Sequence, residues 1–263
     1  MDLGLRDRVA IVAASSQGLG KAVALALARE GAKLVICART AERILAAAEE
    51  IRTATGVEVL ARAMDVTHGD EVRGLVEETL KRFGRIDVCV TNAGGPPSKA
   101  FAETSVDDWT SAVNLNLMST VYFARAVLPV MQKQRWGRFI TITSVAVKQP
   151  IDGLILSNSV RSAVSGLVKS LANEYGRFNV LVNNVCPGYT RTGRLTELST
   201  RLAASRGTTP EQIQGQWTDQ IPLARLAEVE EFASVVAFLA SERASYLTGT
   251  SIAVDGGLVR GVT

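Results

Sequence analysis

Apolar runs of strand length recur seven times along this 263-residue chain, at Val9–Ala14, Lys33–Ala38, Val57–Ala63, Ile86–Thr91, Arg138–Thr143, Val180–Cys186 and Ser251–Val254. Most are apolar at nearly every position, the pattern of strands covered on both faces. The segments between them, including Gly20–Glu30, Ala41–Thr53, Asp70–Phe83 and Val160–Tyr175, are longer and rich in the helix formers Ala, Leu, Glu, Lys and Arg. Connections of that length join parallel neighbours, so the pattern predicts an α/β, doubly wound fold with a seven-stranded parallel sheet flanked by helices. No repeat, low-complexity tract or linker divides the chain, and residues 1–263 read as one domain. A polar excursion, Gly193–Gln220, interrupts the alternation and reads as a substrate lid.

Composition narrows the partners. At 47% hydrophobic and 21% charged, the chain can bury a large core. Lys and Arg number 29 against 26 Asp and Glu, and the basic residues are spread along the chain. Neither nucleic acid nor an anionic membrane is therefore an expected partner; a small molecule is. Met1–Arg8 contains no apolar signal core and no stretch has the apolar length of a membrane span, so a cytoplasmic location is expected. Cys37, Cys89 and Cys186 lie in or at the end of strand runs, as reduced structural thiols do, and no His/Cys/Asp constellation suggests a metal.

The first run leads into Ala13-Ala14-Ser15-Ser16-Gln17-Gly18-Leu19-Gly20-Lys21, a strand end, a small-residue turn and a helix start. Free N–H groups at a helix amino terminus, with glycines that admit close approach, suit a pyrophosphate, although a plain strand-to-helix connection uses the same residues. Its place in the first βαβ unit favours a Rossmann-type nucleotide site. At the end of the second run, Cys37-Ala38-Arg39-Thr40 offers a cation where a carboxylate would bind a ribose 2′-hydroxyl. That favours NADP over NAD, while Arg39 also suits a solvated helix start. Asp65, in Met64-Asp65-Val66 after the third run, can meet an adenine amino group or act as a cap or turn residue.

Together with Asp65-Val66-Thr67, Thr91-Asn92-Ala93-Gly94, Asn114-Leu115-Asn116-Leu117, Ile142-Thr143-Ser144-Val145, Cys186-Pro187-Gly188-Tyr189-Thr190-Arg191-Thr192 and Val254-Asp255-Gly256-Gly257, the turn Ser15-Ser16-Gln17-Gly18-Leu19-Gly20 makes seven ordered blocks. In these the chain resembles the short-chain dehydrogenase/reductase family along nearly its whole length. The resemblance implies an NADP(H)-dependent oxidoreductase, similar to 3-oxoacyl reductases, that interconverts a carbonyl and an alcohol. It implies that Asn92, Ala93 and Gly94 pack beside the adenine ribose, with Asp65 and Val66 at the adenine. Pro187, Gly188, Thr190 and Thr192 would seat the nicotinamide and its carboxamide. Asn116 would hold a helix kink and a proton-relay water, and Ser144 would bind the substrate carbonyl. A homotetramer is implied, assembled through Val106–Lys133 and Val160–Tyr175; the small residues Ser162, Ala163, Ser165, Gly166, Ser170 and Ala172 suit either that interface or packing on the sheet.

Two departures qualify the resemblance. The family's turn begins with Thr-Gly, and here Ala13 and Ala14 stand in those places, which requires a negative φ at Ala14 and predicts weaker or displaced cofactor binding. The family's catalytic Tyr and Lys, four apart on one helix face, are Ser157 and Arg161 in this chain. The register is secure, since Ser162–Ala172 continues the family's helix without a gap. A Tyr hydroxyl, ordinarily near pKa ~10, can be tuned toward neutrality by an adjacent cation; a Ser hydroxyl cannot. Ser157 can still polarise a substrate oxygen beside Ser144, and Arg161 can still grip the nicotinamide ribose, but an Arg does not relay a proton. Tyr189 and Lys148 are the alternative acids by position, but the residues favour reading the first as a packing residue and the second as a solvated loop lysine; His68 reads as a surface or capping residue, and Ser144 has no His partner. The alternative function is an NADP-binding pseudoenzyme with a sensor, regulatory or scaffold role.

Overall fold

The alternation of runs becomes a single sheet in a computed structural model that describes residues 2–262. The strands are β1 (Val9–Ala13), β2 (Lys33–Ala38), β3 (Val59–Ala63), β4 (Val88–Thr91), β5 (Gly137–Ile142), β6 (Val180–Pro187) and β7 (Ser251–Val254), all parallel, in the order β3-β2-β1-β4-β5-β6-β7. The predicted seven-stranded doubly wound sheet is therefore present, with strand ends displaced by one or two residues. The helices are α1 (Gly18–Arg29), α2 (Ala41–Thr55), α3 (Gly69–Phe83), α4 (Val106–Ala112), α5 (Ser119–Gln134), α6 (Ile155–Tyr175), α7 (Gly193–Arg206), α8 (Pro210–Thr218) and α9 (Val229–Ala240).

Alternate residues of each strand feed two cores. Ala10, Val12, Leu34 and Ile36 pack under α1, α2 and α9 through Leu27, Ile51 and Phe232. Val9, Ile11, Val35 and Cys37 pack under α3, α5 and α6 through Leu75, Phe123 and Val168. Covering both faces is what permits strands with no polar side.

Two expectations need correction. Val106–Lys133 is not one helix: α4 and α5 are separated by a π-helical turn, Val113–Met118, that carries Asn116. The segment expected to start at Val160 starts at Ile155, so Ser157 lies in the first turn of α6. The Gly193–Gln220 segment holds two helices, because Thr192 and Thr209 cap α7 and α8 and Pro210 opens the second. The lid helices pack with Val145 and Cys186 in a small cluster of their own around Ile213 and Trp217.

The edge of the sheet remote from the strand carboxyl ends is tied by charge. Asp87, fully buried, accepts from Val9 N at 2.9 Å, from Arg85 Nε and Nη2 at 2.7 and 2.6 Å, and from Arg8 Nη1 at 3.2 Å. Arg8 and the buried Arg138 sandwich Trp136, at 4.0 and 4.2 Å from the ring centroid. Burial, and then the charge of Arg8, push the Arg138 pKa down to about 10. Removing Asp87 leaves a buried amide and the Arg85 guanidinium without an acceptor, while Arg8 keeps Glu242 at 2.8 Å, so Asp87→Ala is expected to cost about 3 kcal/mol in urea unfolding. An unchanged midpoint would contradict this account.

Candidate active site

β1 is flanked by β2 on one side and β4 on the other, so the connections leaving their carboxyl ends diverge and open a crevice. The turn after β1 forms its floor. Ser15 is fully buried; its hydroxyl donates to Val12 O at 2.8 Å and its amide to Cys37 O at 3.1 Å, so its side chain serves the turn from inside. Gln17 takes the N-cap place of α1 with no side-chain cap, and Ser16, Gly18 and Leu19 stay partly open to solvent. A Cβ at Gly20 would collide with Ala14 O and come within 3.1 Å of Asn92 Nδ2, so only glycine lets α1 start this close to β1 and the loop after β4. Ala14 has φ +49°, not the negative value expected for an alanine: the tight turn imposes the left-handed conformation regardless of the side chain.

On the outer side, Arg39 is exposed and forms no ion pair with the described residues. Asp65 Oδ1 accepts from Thr67 N and Oγ1, each at 2.9 Å. Burial opposes its ionisation, but these two bonds, with Arg39 and His68, hold its pKa below the usual carboxylate value. The turn role of Asp65 is thus satisfied by one oxygen, and the other takes no hydrogen bond from the described residues. Val66 is buried beside it. His68 is exposed at the start of α3; it makes no capping bond and contacts Glu71 at 2.8 Å.

Four elements converge on the inner side. Asn116, buried on the π-helical turn, donates from Nδ2 to Gly94 O at 2.9 Å, while its Oδ1 is buried without a protein donor. Ser144 follows β5, and its Oγ accepts from Ala146 N at 3.1 Å, leaving its own hydrogen free. Ser157 is buried in α6 and makes no hydrogen bond with the described residues. Arg161, one turn on, donates to Thr143 O at 2.9 Å, Ile142 O at 3.3 Å and Gly94 O at 3.5 Å. Nε–H and one Nη2–H remain for a ligand. Burial, and then the charge of Arg194, push the Arg161 pKa down to about 10, so it stays a cation at neutral pH.

The two alternative acids are placed differently. Tyr189 stacks on Trp217 with centroids 4.9 Å apart and planes at 11°, and burial pushes its pKa up. It packs the lid. Lys148 is partly buried on the loop after β5 and forms no ion pair with the described residues. The Cys186 thiol lies 3.4 Å from Thr143 Oγ1, and burial raises its pKa. Among the described residues no group of three metal-ligating side chains occurs. Two surface depressions of about 450 and 530 Å³, lined by Gln132 and Tyr175 in one and Arg29 and Lys33 in the other, lie at the amino ends of the strands, away from the crevice.

The roof is formed by Pro187, Gly188, Thr190 and Thr192. A Cβ at Gly188 would lie 2.8 Å from Asp255 Cα, so β6 and the loop after β7 meet through a glycine. Thr190 is buried, with Oγ1 3.4 Å from Gly188 O, and Thr192 Oγ1 caps α7 through Leu195 N at 3.3 Å. One residue escaped the sequence reading. Arg194 of α7 crosses to the loop after Asn92-Ala93-Gly94, donating to Gly95 O at 3.3 Å and Pro96 O at 3.4 Å. Its signal was a cation in the first turn of a helix, an unfavourable place that implies a partner elsewhere.

A family model described as Enoyl-(Acyl carrier protein) reductase matches residues 13–259. The 3-oxoacyl-[acyl-carrier-protein] reductase FabG of Aquifex aeolicus is 36% identical over 258 residues, covering 98% of this chain and 100% of that protein. The chain belongs to the short-chain dehydrogenase/reductase family. Similar solved structures include L-sorbose reductase from Gluconobacter frateurii in complex with NADPH and L-sorbose, with TM-score 0.95 and 32% identity over 100% of both chains. Another is a variant actinorhodin polyketide ketoreductase with NADPH, with TM-score 0.93 and 30% identity, covering 97% of this chain and 98% of that one.

Within a short-chain dehydrogenase/reductase, the left-handed Ala14 carries an energetic cost that glycine would not. Ala14→Gly is expected to raise stability by about 1 kcal/mol, read as a higher urea midpoint. A lower midpoint would show that the turn is not strained.

Proposed function

We propose that this chain is an NADP(H)-dependent oxidoreductase interconverting a carbonyl and an alcohol, similar to 3-oxoacyl reductases, in which water replaces tyrosine as the proton source. The observation that carries this reading is the buried, partnerless Oδ1 of Asn116, on a side chain that shares Gly94 O with Arg161. A buried acceptor of that kind costs stability unless a donor meets it, and a water there would lie in the site with Ser144.

The residues present fit the cofactor. The glycine turn is open where a pyrophosphate would lie and closed by packing at Gly20. Residues 15–20 would hold the pyrophosphate, Arg39 the 2′-phosphate, and Asp65 and Val66 the adenine. Asn92, Ala93 and Gly94 would flank the riboses, Arg161 would reach the nicotinamide ribose through its two remaining donors, and Pro187, Gly188, Thr190 and Thr192 would seat the nicotinamide. When bound, NADP(H) supplies or accepts the hydride at its nicotinamide C4. Ser144 and Ser157 each have a hydroxyl hydrogen free to bond the substrate oxygen, which polarises the carbonyl without ionising either serine. The charge of Arg161 lies behind them and favours developing negative charge on that oxygen.

The unit we propose is one domain over residues 1–263 with its lid at about 193–220, cytoplasmic, acting on a small carbonyl or alcohol without nucleic acid or membrane. Ser162, Ala163, Gly166 and Ser170 face away from the sheet, which supports a homotetramer through α6. No helix of the described residues is long and apolar enough to cross a membrane. One observation favours the pseudoenzyme alternative: three of the Arg161 N–H groups are spent on backbone carbonyls.

Purified protein is expected to oxidise NADPH with members of a panel of ketones, diketones, quinones and enones. Tight NADPH binding with no turnover above background would instead establish the pseudoenzyme. Ser157→Tyr with Arg161→Lys is expected to raise carbonyl reduction by about 100-fold, the scale of a restored general acid; no gain would mean a remodelled pocket. Arg39→Asp is expected to shift preference from NADPH to NADH in a binding titration, and an unchanged preference would sink the 2′-phosphate assignment.

A further inference from the structure

The base of the lid touches both walls of the crevice. On one side the Thr192 methyl lies 3.6 Å from the place of a Cβ on Gly18, so α7 begins against the glycine turn. Two residues on, the Arg194 side chain spans to Gly95 and Pro96 on the far wall. Gly95 admits it: a Cβ there would collide with Arg194 Nη2. A ligand lying from Gly18 to Gly94 would pass beneath this guanidinium.

The resting contacts of Arg194 are poor for a cation. They run at 3.3 and 3.4 Å to neutral carbonyls, and no carboxylate lies within 4.0 Å. Burial holds the Arg194 pKa down, with Glu197 on the same helix opposing it, and Arg161 across the crevice feels the charge of Arg194. Asp255, an acid at the roof, already accepts from Gly257 N at 3.0 Å and Val259 N at 2.8 Å. Two arginines therefore approach one crevice that supplies no acid to either.

We infer that Arg194 is a clasp for the dinucleotide: on cofactor binding its guanidinium leaves the Gly95 and Pro96 carbonyls for a pyrophosphate oxygen, drawing the base of α7 over the crevice. This rests on the NADP(H) reading above. The doubly charged pyrophosphate is the part of the ligand that would lie between the glycine turn and Gly94, and a bond between opposite charges replaces two long bonds to neutral carbonyls.

The test is a fluorescence titration of the full chain and its variants with NADPH, 2′-phospho-ADP-ribose and 2′-AMP, the last lacking a pyrophosphate. Arg194→Met is expected to weaken NADPH and 2′-phospho-ADP-ribose about tenfold and leave 2′-AMP unchanged, with Arg194→Lys intermediate. Gly95→Ala, which displaces the resting guanidinium but keeps its charge, is expected to hold NADPH affinity within about twofold. Equal NADPH affinity of wild type and Arg194→Met overturns the clasp, as does an equal loss of 2′-AMP or a Gly95→Ala loss as large as that of Arg194→Met. Unchanged NADPH affinity with a raised KM for anionic substrates would assign the charge to substrate and likewise overturn it. A wild-type chain that binds none of the three ligands would overturn the cofactor reading itself.

Discussion

The pairing of β4 with β1, on the side away from β2, is the contact on which the rest of the molecule depends. It sends the chain outward to β3 and then back past its own start, so the loops after β1 and β4 part instead of covering one another. The buried Asp87 secures that pairing at the far end, where it joins the amide of Val9 in β1 to the residue that precedes β4. At the near end Gly20 lets α1 start hard against Ala14 O and Asn92. Every candidate site residue is placed by one of these strand ends or by an element packed on them.

Gly94 O is where the inner half of the site is organised. The amide of Asn116, from a π-helical turn, and the guanidinium of Arg161, from α6, both donate to it. The π-helical turn widens the helix by one residue and sets Asn116 facing the loop after β4. Longer than lysine and planar, Arg161 extends past the strand end and binds Ile142 O and Thr143 O as well. Arg161 is thus a brace between β5 and the loop after β4.

The architecture was legible in the sequence because a two-faced parallel sheet leaves a strong mark: runs with no polar side, separated by helical crossovers. The glycine turn was legible from its place in the first βαβ unit, whereas Asn116, Ser144, Ser157 and Arg161 were legible only through the resemblance to the family's ordered blocks. Conformation at single residues was not. An alanine at position 14 predicts negative φ, yet closure of the turn around Gly20 overrides that preference. The two lid helices were hidden by their polar composition, although Thr192, Thr209 and Pro210 are ordinary starting signals for helices. Arg194 was beyond reach because its partners, Gly95 and Pro96, are about a hundred residues away in sequence and contribute only backbone carbonyls.

The lid keeps its own hydrophobic cluster, around Ile213, Trp217 and Leu226, apart from the two cores that hold the sheet. The packing of this segment and that of the sheet are thereby drawn from different sets of side chains. Substitutions at Tyr189 and Trp217 fall outside the packing of Leu27, Phe123 and Phe232, so this part of the chain can vary while the sheet stays folded. A modular lid of this kind makes the molecule evolvable at its mouth and conservative at its centre.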